Sequence, residues 1–163
     1  MTGPLYLIAT GPDDYRGLIG AAEWRNFQVP EGGLEPEAVL NMLTGWSDKL
    51  QRAQGWGTWL AVTQGAVVAS LAVKAALADG AVEIGYGVAP AWRGRGIGTA
   101  AVLALLPELA RHGARLVHAE TATANPASGR VLEKAGFGRA GQRVDVEDGQ
   151  MMLWLREIIG AVR

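Results

Sequence analysis

The chain has 163 residues, with 15 lysines and arginines against 16 aspartates and glutamates, 49% hydrophobic residues and no cysteine. That length fits one domain over residues 1–163, able to bury about two-thirds of the surface its unfolded form exposes without disulfides or a metal. The lack of cysteine excludes thiolate metal sites and Cys nucleophiles, two histidines are too few for a His-rich zinc site, and a net charge of −1 gives no overall attraction to nucleic acid or an anionic membrane.

In chain order, Pro4–Thr10 reads as a short strand. Met1–Thr10 lacks the basic start and long apolar run of a secretion signal, so a cytoplasmic location is expected. Pro12–Phe27 and Pro36–Gln54 read as helices joined by the Pro/Gly-rich stretch VPEGGLEP. The β-rich runs Trp56–Thr63 and Ala66–Ala75 flank Gln64-Gly65, which predicts a hairpin. Ala81–Val88 is the next strand. Its alternation places Val82, Ile84, Tyr86 and Val88 on one side, and Glu83, Gly85 and Gly87 on the other.

A Gly/Arg segment then leads into a helix over Gly98–His112, where Ile97, Ala101, Leu105 and Leu109 form an apolar stripe. Pro107 inside it removes one backbone hydrogen bond and predicts a kink or an early break; Gly113 is placed to end the helix. The most apolar run, Thr99–Leu106, is far shorter than the roughly 20 residues that span a bilayer. Leu116–Thr121 reads as a strand, Asn125-Pro126 as an N-cap with proline at N1, and Ser128–Ala135 as a short helix ending at Gly136-Phe137. Two last strands, Gly138–Val146 and Gln150–Glu157, flank an Asp148-Gly149 turn.

Charge is unevenly distributed. Residues 1–90 hold 5 basic and 9 acidic side chains, and 91–163 hold 10 basic and 7 acidic. Between Arg93 and Arg143 the count is 8 basic to 3 acidic, a local excess that suits a small polyanion such as a phosphorylated cofactor, or forms a solvated basic face. Within that region Arg93-Gly94-Arg95-Gly96-Ile97-Gly98-Thr99 sits between a strand and a helix, where unpaired amides and the positive end of the helix dipole converge on any phosphate. It is no P-loop, since no Gly-Lys-Ser/Thr follows at the required distance. Gly96-x-Gly98-x-x-Ala101, with Glu120 further on, also satisfies the dinucleotide pattern, although little chain follows Glu120 to complete a nucleotide-binding fold. A plain tight turn is the third reading.

Two blocks raise the specificity. Arg93, Gly96 and Gly98 fit Arg/Gln-x-x-Gly-x-Gly/Ala after a strand, and Asn125, Ser128 and Val131-Leu132-Glu133-Lys134-Ala135-Gly136-Phe137 fit Asn-x-x-Ser followed by Val-Leu-Glu-Lys-x-Gly-Phe. Over about 81–137 the chain resembles the GNAT superfamily of acetyl-CoA-dependent N-acetyltransferases, and most of all its ribosomal-protein N-terminal acetyltransferase branch. The resemblance implies an α/β (mixed α+β) fold, a mixed but mostly antiparallel sheet of six to seven strands flanked by about four helices. It also implies direct attack of a primary amine on acetyl-CoA, no metal, and a possible homodimer.

A lysine-like amine of pKa about 10.4 costs roughly 4.6 kcal/mol to deprotonate at pH 7, so a base is useful. Glu83 is the candidate: it is the only acid on its strand, it stands beside two glycines, and the family often has a catalytic Glu in a corresponding place; the alternative is an exposed strand carboxylate. The amide of Val88 is suited to polarise the thioester oxygen, and the amides of Arg95, Gly96, Ile97, Gly98 and Thr99 to hold the diphosphate, with Arg93 and Gly94 of the same turn also at the cofactor. Many relatives place a tyrosine acid in the second helix where this chain has Leu132; the branch resemblance points instead to Ser128, as sulfur partner or merely as helix-start support. Asn125 is assigned to pantetheine or to its capping duty alone, and Arg130 and Lys134 to the phosphates or to solvent.

For the acceptor, a small-molecule or peptide amine, Trp24, Phe27, Trp46, Trp56 and Trp59 with Glu23, Glu31 or Glu35 could receive a cation, or the rings could simply be core. Two other functions remain open: a dinucleotide-binding module or oxidoreductase using Gly96, Gly98, Ala101 and Glu120, and a catalytically silent CoA-binding regulator.

Overall fold

The computed structural model describes residues 3–158. Its elements are β1 (Tyr6–Ala9), α1 (Pro12–Leu18), β2 (Glu23–Trp24), β3 (Phe27–Gln28), α2 (Glu37–Ala53), β4 (Thr58–Thr63), β5 (Ala66–Val73), β6 (Ala81–Val88), α3 (Ile97–Arg111), β7 (Leu116–Ala122), α4 (Pro126–Lys134), β8 (Gly138–Asp145) and β9 (Gly149–Glu157). The sheet runs β1-β4-β5-β6-β7-β9-β8, with β2 and β3 as a two-residue ribbon beside β5. Every neighbour on the main path is antiparallel except β6 and β7. The expected architecture is present, and the short ribbon accounts for the strands beyond the six to seven anticipated.

Each sheet face is covered by helices. On one, Val82 and Ile84 of β6 pack with Ile97, Val102, Leu105 and Leu109 of α3 and Leu132 of α4. On the other, Tyr15 and Leu18 of α1 and Leu40 and Leu43 of α2 pack on Leu60, Val62 and Val67. Trp24 and Trp59 are buried, and Trp46, Trp56 and Phe27 pack against these cores, so the core reading holds for the aromatic residues.

Three expectations are corrected. The helix anticipated over Pro12–Phe27 stops at Leu18, and the chain then folds into the β2–β3 hairpin, turning at Arg25-Asn26. Asp14 organises this reversal: its carboxylate accepts hydrogen bonds from Gly11 N at 2.8 Å, Trp24 Nε1 at 3.1 Å and Arg25 Nη2 at 2.9 Å, drawing the hairpin back onto α1. Second, of the kink or early break anticipated at Pro107, the break does not occur: α3 runs through the proline to Arg111. Pro107 and Leu103, whose carbonyl loses its donor, are both on the exposed side, where water can replace the bond while Leu105, Leu106 and Leu109 keep the buried side packed. Third, the last hairpin turns through 146–148, with the Asp145 carboxylate accepting from Glu147 N and Asp148 N, both at 2.9 Å. The anticipated end of α3 is as expected: Gly113 N donates to Ala110 O and Ala114 N to Leu109 O, the paired bonds of a Schellman motif.

Leu105 is fully buried between α3 and the sheet. Leu105→Ala is expected to destabilise the protein by about 2–5 kcal/mol, read from the midpoint of urea unfolding.

Candidate active site

The site begins where two strands separate. β6 and β7 pair only over Ala81↔Leu116, Val82↔Val117 and Glu83↔His118. Beyond that β6 stays with β5 as far as Val88, while β7 stays with β9 as far as Ala122. Ala89 N donates to Val68 O and Lys74 N to Glu83 O, both at 2.8 Å. The odd-numbered residues 83–89 therefore direct their backbone polar groups to β5. Those of Tyr86 and Val88 face the opposite edge, where no strand receives them. A cleft thus opens along an unpaired strand edge.

At its mouth lies the glycine-rich turn. Gly94 and Gly96 adopt φ of 76° and 78°, a left-handed conformation that costs other residues about 1–2 kcal/mol. The first helical bond accepted here joins Ala100 N to Gly96 O. The amides of Gly94, Arg95, Gly96, Ile97, Gly98 and Thr99 find no acceptor among the described residues. Such a run of free donors at a helix N-terminus is a ready cradle for a diphosphate. Arg93 fixes the start of the turn by donating from Nε to Val88 O at 3.3 Å.

The far wall is α4. A Cβ on Gly98 would lie 3.1 Å from Val131 Cγ2, so glycine there sets how closely α3 meets α4. Asn125 caps α4 by accepting from Ser128 N, and its Nδ2 donates to Ser128 Oγ at 3.3 Å. The hydroxyl proton of Ser128 has no acceptor among the described residues. Tyr86 bridges the cleft, its hydroxyl donating to Ser128 O at 2.9 Å; burial pushes its pKa up to about 12, which keeps it protonated.

The resulting groove has a volume of about 570 Å³. Of the residues anticipated from sequence, Val88, Arg93, Gly94, Gly96, Ile97, Gly98, Thr99, Asn125, Ser128, Arg130 and Lys134 all line it. Arg95 does not; its guanidinium stacks 4.7 Å over the Trp92 ring. Nor is Glu83 brought there. It sits four residues before Gly87, about 13 Å along the strand, where its carboxylate pairs with Lys74 Nζ at 3.4 Å. Tyr86, Gly87 and Trp92 are lining residues that sequence reasoning missed, although the alternation of Tyr86 with Val88 on one edge was a usable signal.

A second cavity of about 470 Å³ lies on the α1–α2 face, lined by Glu31, Glu35 and Glu37 among apolar residues, with no lysine or arginine. Glu35 also reaches the strands: Ser70 Oγ donates to its Oε2 at 2.7 Å, and a Cβ on Gly87 would overlap its carboxylate. Burial raises the Glu35 pKa, opposed by the Ser70 bond and the charge of Arg93. None of Trp24, Phe27, Trp46, Trp56 and Trp59 lines either cavity.

Residues 5–138 match the family profile of the acetyltransferase (GNAT) domain. The chain belongs to this family. As a GNAT it is an N-acetyltransferase that takes its acetyl group from acetyl-CoA. Among solved structures it is similar to RimL, the ribosomal L7/L12 alpha-N-protein acetyltransferase in complex with coenzyme A, at 21% identity over 94% of both chains and a TM-score of 0.70. It is also similar to the Salmonella typhimurium acetyltransferase that modifies the N-terminal serine of L7/L12, at 19% identity over 95% of both chains and a TM-score of 0.72. The third is AAC(6')-Ib in complex with ribostamycin and coenzyme A, at 20% identity over 95% of this chain and 94% of the other, with a TM-score of 0.66. At these identities the likeness is one of fold. No curated protein matches the sequence.

The GNAT fold removes the dinucleotide reading. Gly96 and Gly98 follow a strand with one parallel neighbour in a largely antiparallel sheet. Glu120 is engaged by Arg143, through Nε at 2.9 Å and Nη2 at 2.6 Å. Among the described residues no group of three or more His, Cys, Asp or Glu is placed to hold a metal ion, and no helix is long and apolar enough to cross a membrane.

Gly96→Val is expected to weaken CoA binding at least tenfold, measured by calorimetry, because a side chain there strains the left-handed turn and disperses the free amides.

Proposed function

We propose that the enzyme acetylates a primary amine, carried by a small molecule or a peptide, with acetyl-CoA held along the β6 edge. The run of unsatisfied amides from Gly94 to Thr99, beside the unpaired N–H of Val88, carries this reading. The residues present fit the cofactor: free N–H groups and Arg93 for the diphosphate, Arg130 and Lys134 on the groove wall for further phosphate charge, and the open strand edge for the pantetheine amides. Bound there, it supplies an acetyl thioester activated for attack.

The Val88 N–H, left unpaired toward the cleft, is suited to polarise the thioester oxygen. Ser128 offers its uncommitted hydroxyl proton to the departing sulfur; a thiol pKa of about 8.5 makes that help modest. Asn125 orients Ser128 and holds the start of α4. Glu83, paired with Lys74 and away from the groove, is left with the positioning of the strand end. Amine acceptors are in keeping with neighbours in fold that include AAC(6')-Ib with ribostamycin and a spermidine N-acetyltransferase chimera from Vibrio cholerae and hSSAT, at 14% identity and a TM-score of 0.69. A cytoplasmic location and a homodimer complete the proposal.

Acetyl-CoA, but not NAD, is expected to raise the melting temperature, and thiol release from acetyl-CoA across a panel of amines separates an enzyme from a silent CoA-binding regulator; stabilisation by NAD alone would overturn the reading. Ser128→Ala should lower kcat by roughly tenfold with CoA affinity kept, below the usual range for an acid catalyst because the thiolate leaves readily. Glu83→Gln should leave the pH–rate profile unchanged, and a lost acidic limb would return Glu83 to the chemistry.

A further inference from the structure

One carboxylate of the second cavity touches a strand residue that lines the groove. Glu35 lines the acidic cavity of the α1–α2 face, and its carboxylate rests against Gly87, which lines the groove on the other side of the strand. Ser70 and Gly87 are direct cross-strand partners between β5 and β6, so a single polar notch in the sheet receives Glu35. The notch exists because Ser70 supplies a hydroxyl and Gly87 supplies no side chain. No cation pairs with Glu35 within salt-bridge distance among the described residues, so its charge is available to a ligand. The adjacent residue, Val88, carries the free N–H of the strand edge.

Resting on the acetyltransferase reading above, we infer that Glu35 is the catalytic base, that the cavity of Glu31, Glu35 and Glu37 is the acceptor pocket, and that it takes an amine protonated in solution. Glu35 withdraws one proton from R–NH₃⁺ as the nitrogen lone pair forms the C–N bond. The C–S bond breaks with its electron pair going to sulfur. The overall change is R–NH₃⁺ + acetyl-CoA → R–NH–acetyl + CoA-SH + H⁺, with one proton released to solvent. Three carboxylates and no basic lining residue attract the cation, and the apolar walls from Leu18, Val29 and Leu34 favour its body.

The groups facing Glu35 set its titration. Ser70 on β5 and the charge of Arg93 after β6 favour the ionised form, burial opposes it, and Tyr15 on α1 lies close enough to feel its charge; Glu31 and Glu37 share the cavity wall. Because the net effect is a raised pKa, the ionised carboxylate costs stability. That cost is absent below the ordinary glutamate range and grows as pH rises through the Glu35 pKa.

The test compares wild type, Glu35→Gln and Ser70→Ala on tyramine, spermidine and alanine amide, and on trifluoroethylamine, whose nitrogen is neutral at assay pH. Glu35→Gln should lower kcat/KM about a hundredfold or more for the best cationic amine and far less for trifluoroethylamine, and should abolish the acidic limb of the pH–rate profile. Ser70→Ala should move that limb to higher pH. Two readouts do not depend on turnover: CoA should bind Glu35→Gln within about twofold of wild type by calorimetry, and Glu35→Gln should melt above wild type at pH 7, the gap closing toward pH 4. Undiminished turnover in Glu35→Gln, an equal loss with both classes of amine, or CoA affinity lost along with activity would overturn the assignment. If wild type binds CoA yet acetylates none of the amines, the assignment of Glu35 fails while the CoA groove stands; if CoA does not bind at all, the acetyltransferase reading fails first.

Discussion

The molecule depends on a parallel strand pair that is left incomplete. β6 and β7 hold together through Glu83 and His118 and then follow different partners, so the last residues of β6 have backbone groups with no strand to receive them. Unpaired amides in a protein interior are costly unless something satisfies them, so this edge is stable only as a wet groove or a ligand-binding one. The turn that follows extends the same imbalance, with donors from Gly94 to Thr99 in excess of acceptors. A polyanionic cofactor whose arm carries amides resolves both deficits together.

What holds the groove open is packing on either side. Val82 and Ile84 anchor β6 to α3, Gly98 lets α3 approach Val131 of α4, and Tyr86 reaches over the cleft to Ser128. Groove width is therefore tied to core contacts rather than to loop conformation. The face carrying α1 and α2 is built separately, around Tyr15, Leu40 and Leu43, and it delivers Glu35 through the notch at Ser70 and Gly87. One side of the sheet thus gathers free amides and basic residues and the other presents carboxylates, which matches the opposite charges of the two halves of the chain.

Local sequence signals were strongest where the structure is regular and the groove is built from backbone. The alternation in Ala81–Val88, the stripe from Ile97 to Leu109 and the capping residues Asn125 and Gly113 each fix an element through contacts within a few residues. The glycine turn was legible for the same reason: its donors, its left-handed residues and its helix dipole all come from one contiguous segment. Signals failed for β2 and β3, whose two-residue length shows no period, and Pro107 did not end α3, because its effect depends on which side of the helix meets solvent.

The sequence by itself determined the strand, turn and helix that line the groove, the family they belong to, and the excess of positive charge beside them, because each is encoded in neighbouring residues. Only the tertiary structure decided which carboxylate rests against the end of β6. Glu83 stands earlier on β6 and pairs with Lys74, whereas Glu35 comes from a distant loop and arrives through contacts with Ser70 and Gly87. Proximity across 35 and 52 residues of chain leaves no local pattern; it is set by how α2 packs on the sheet.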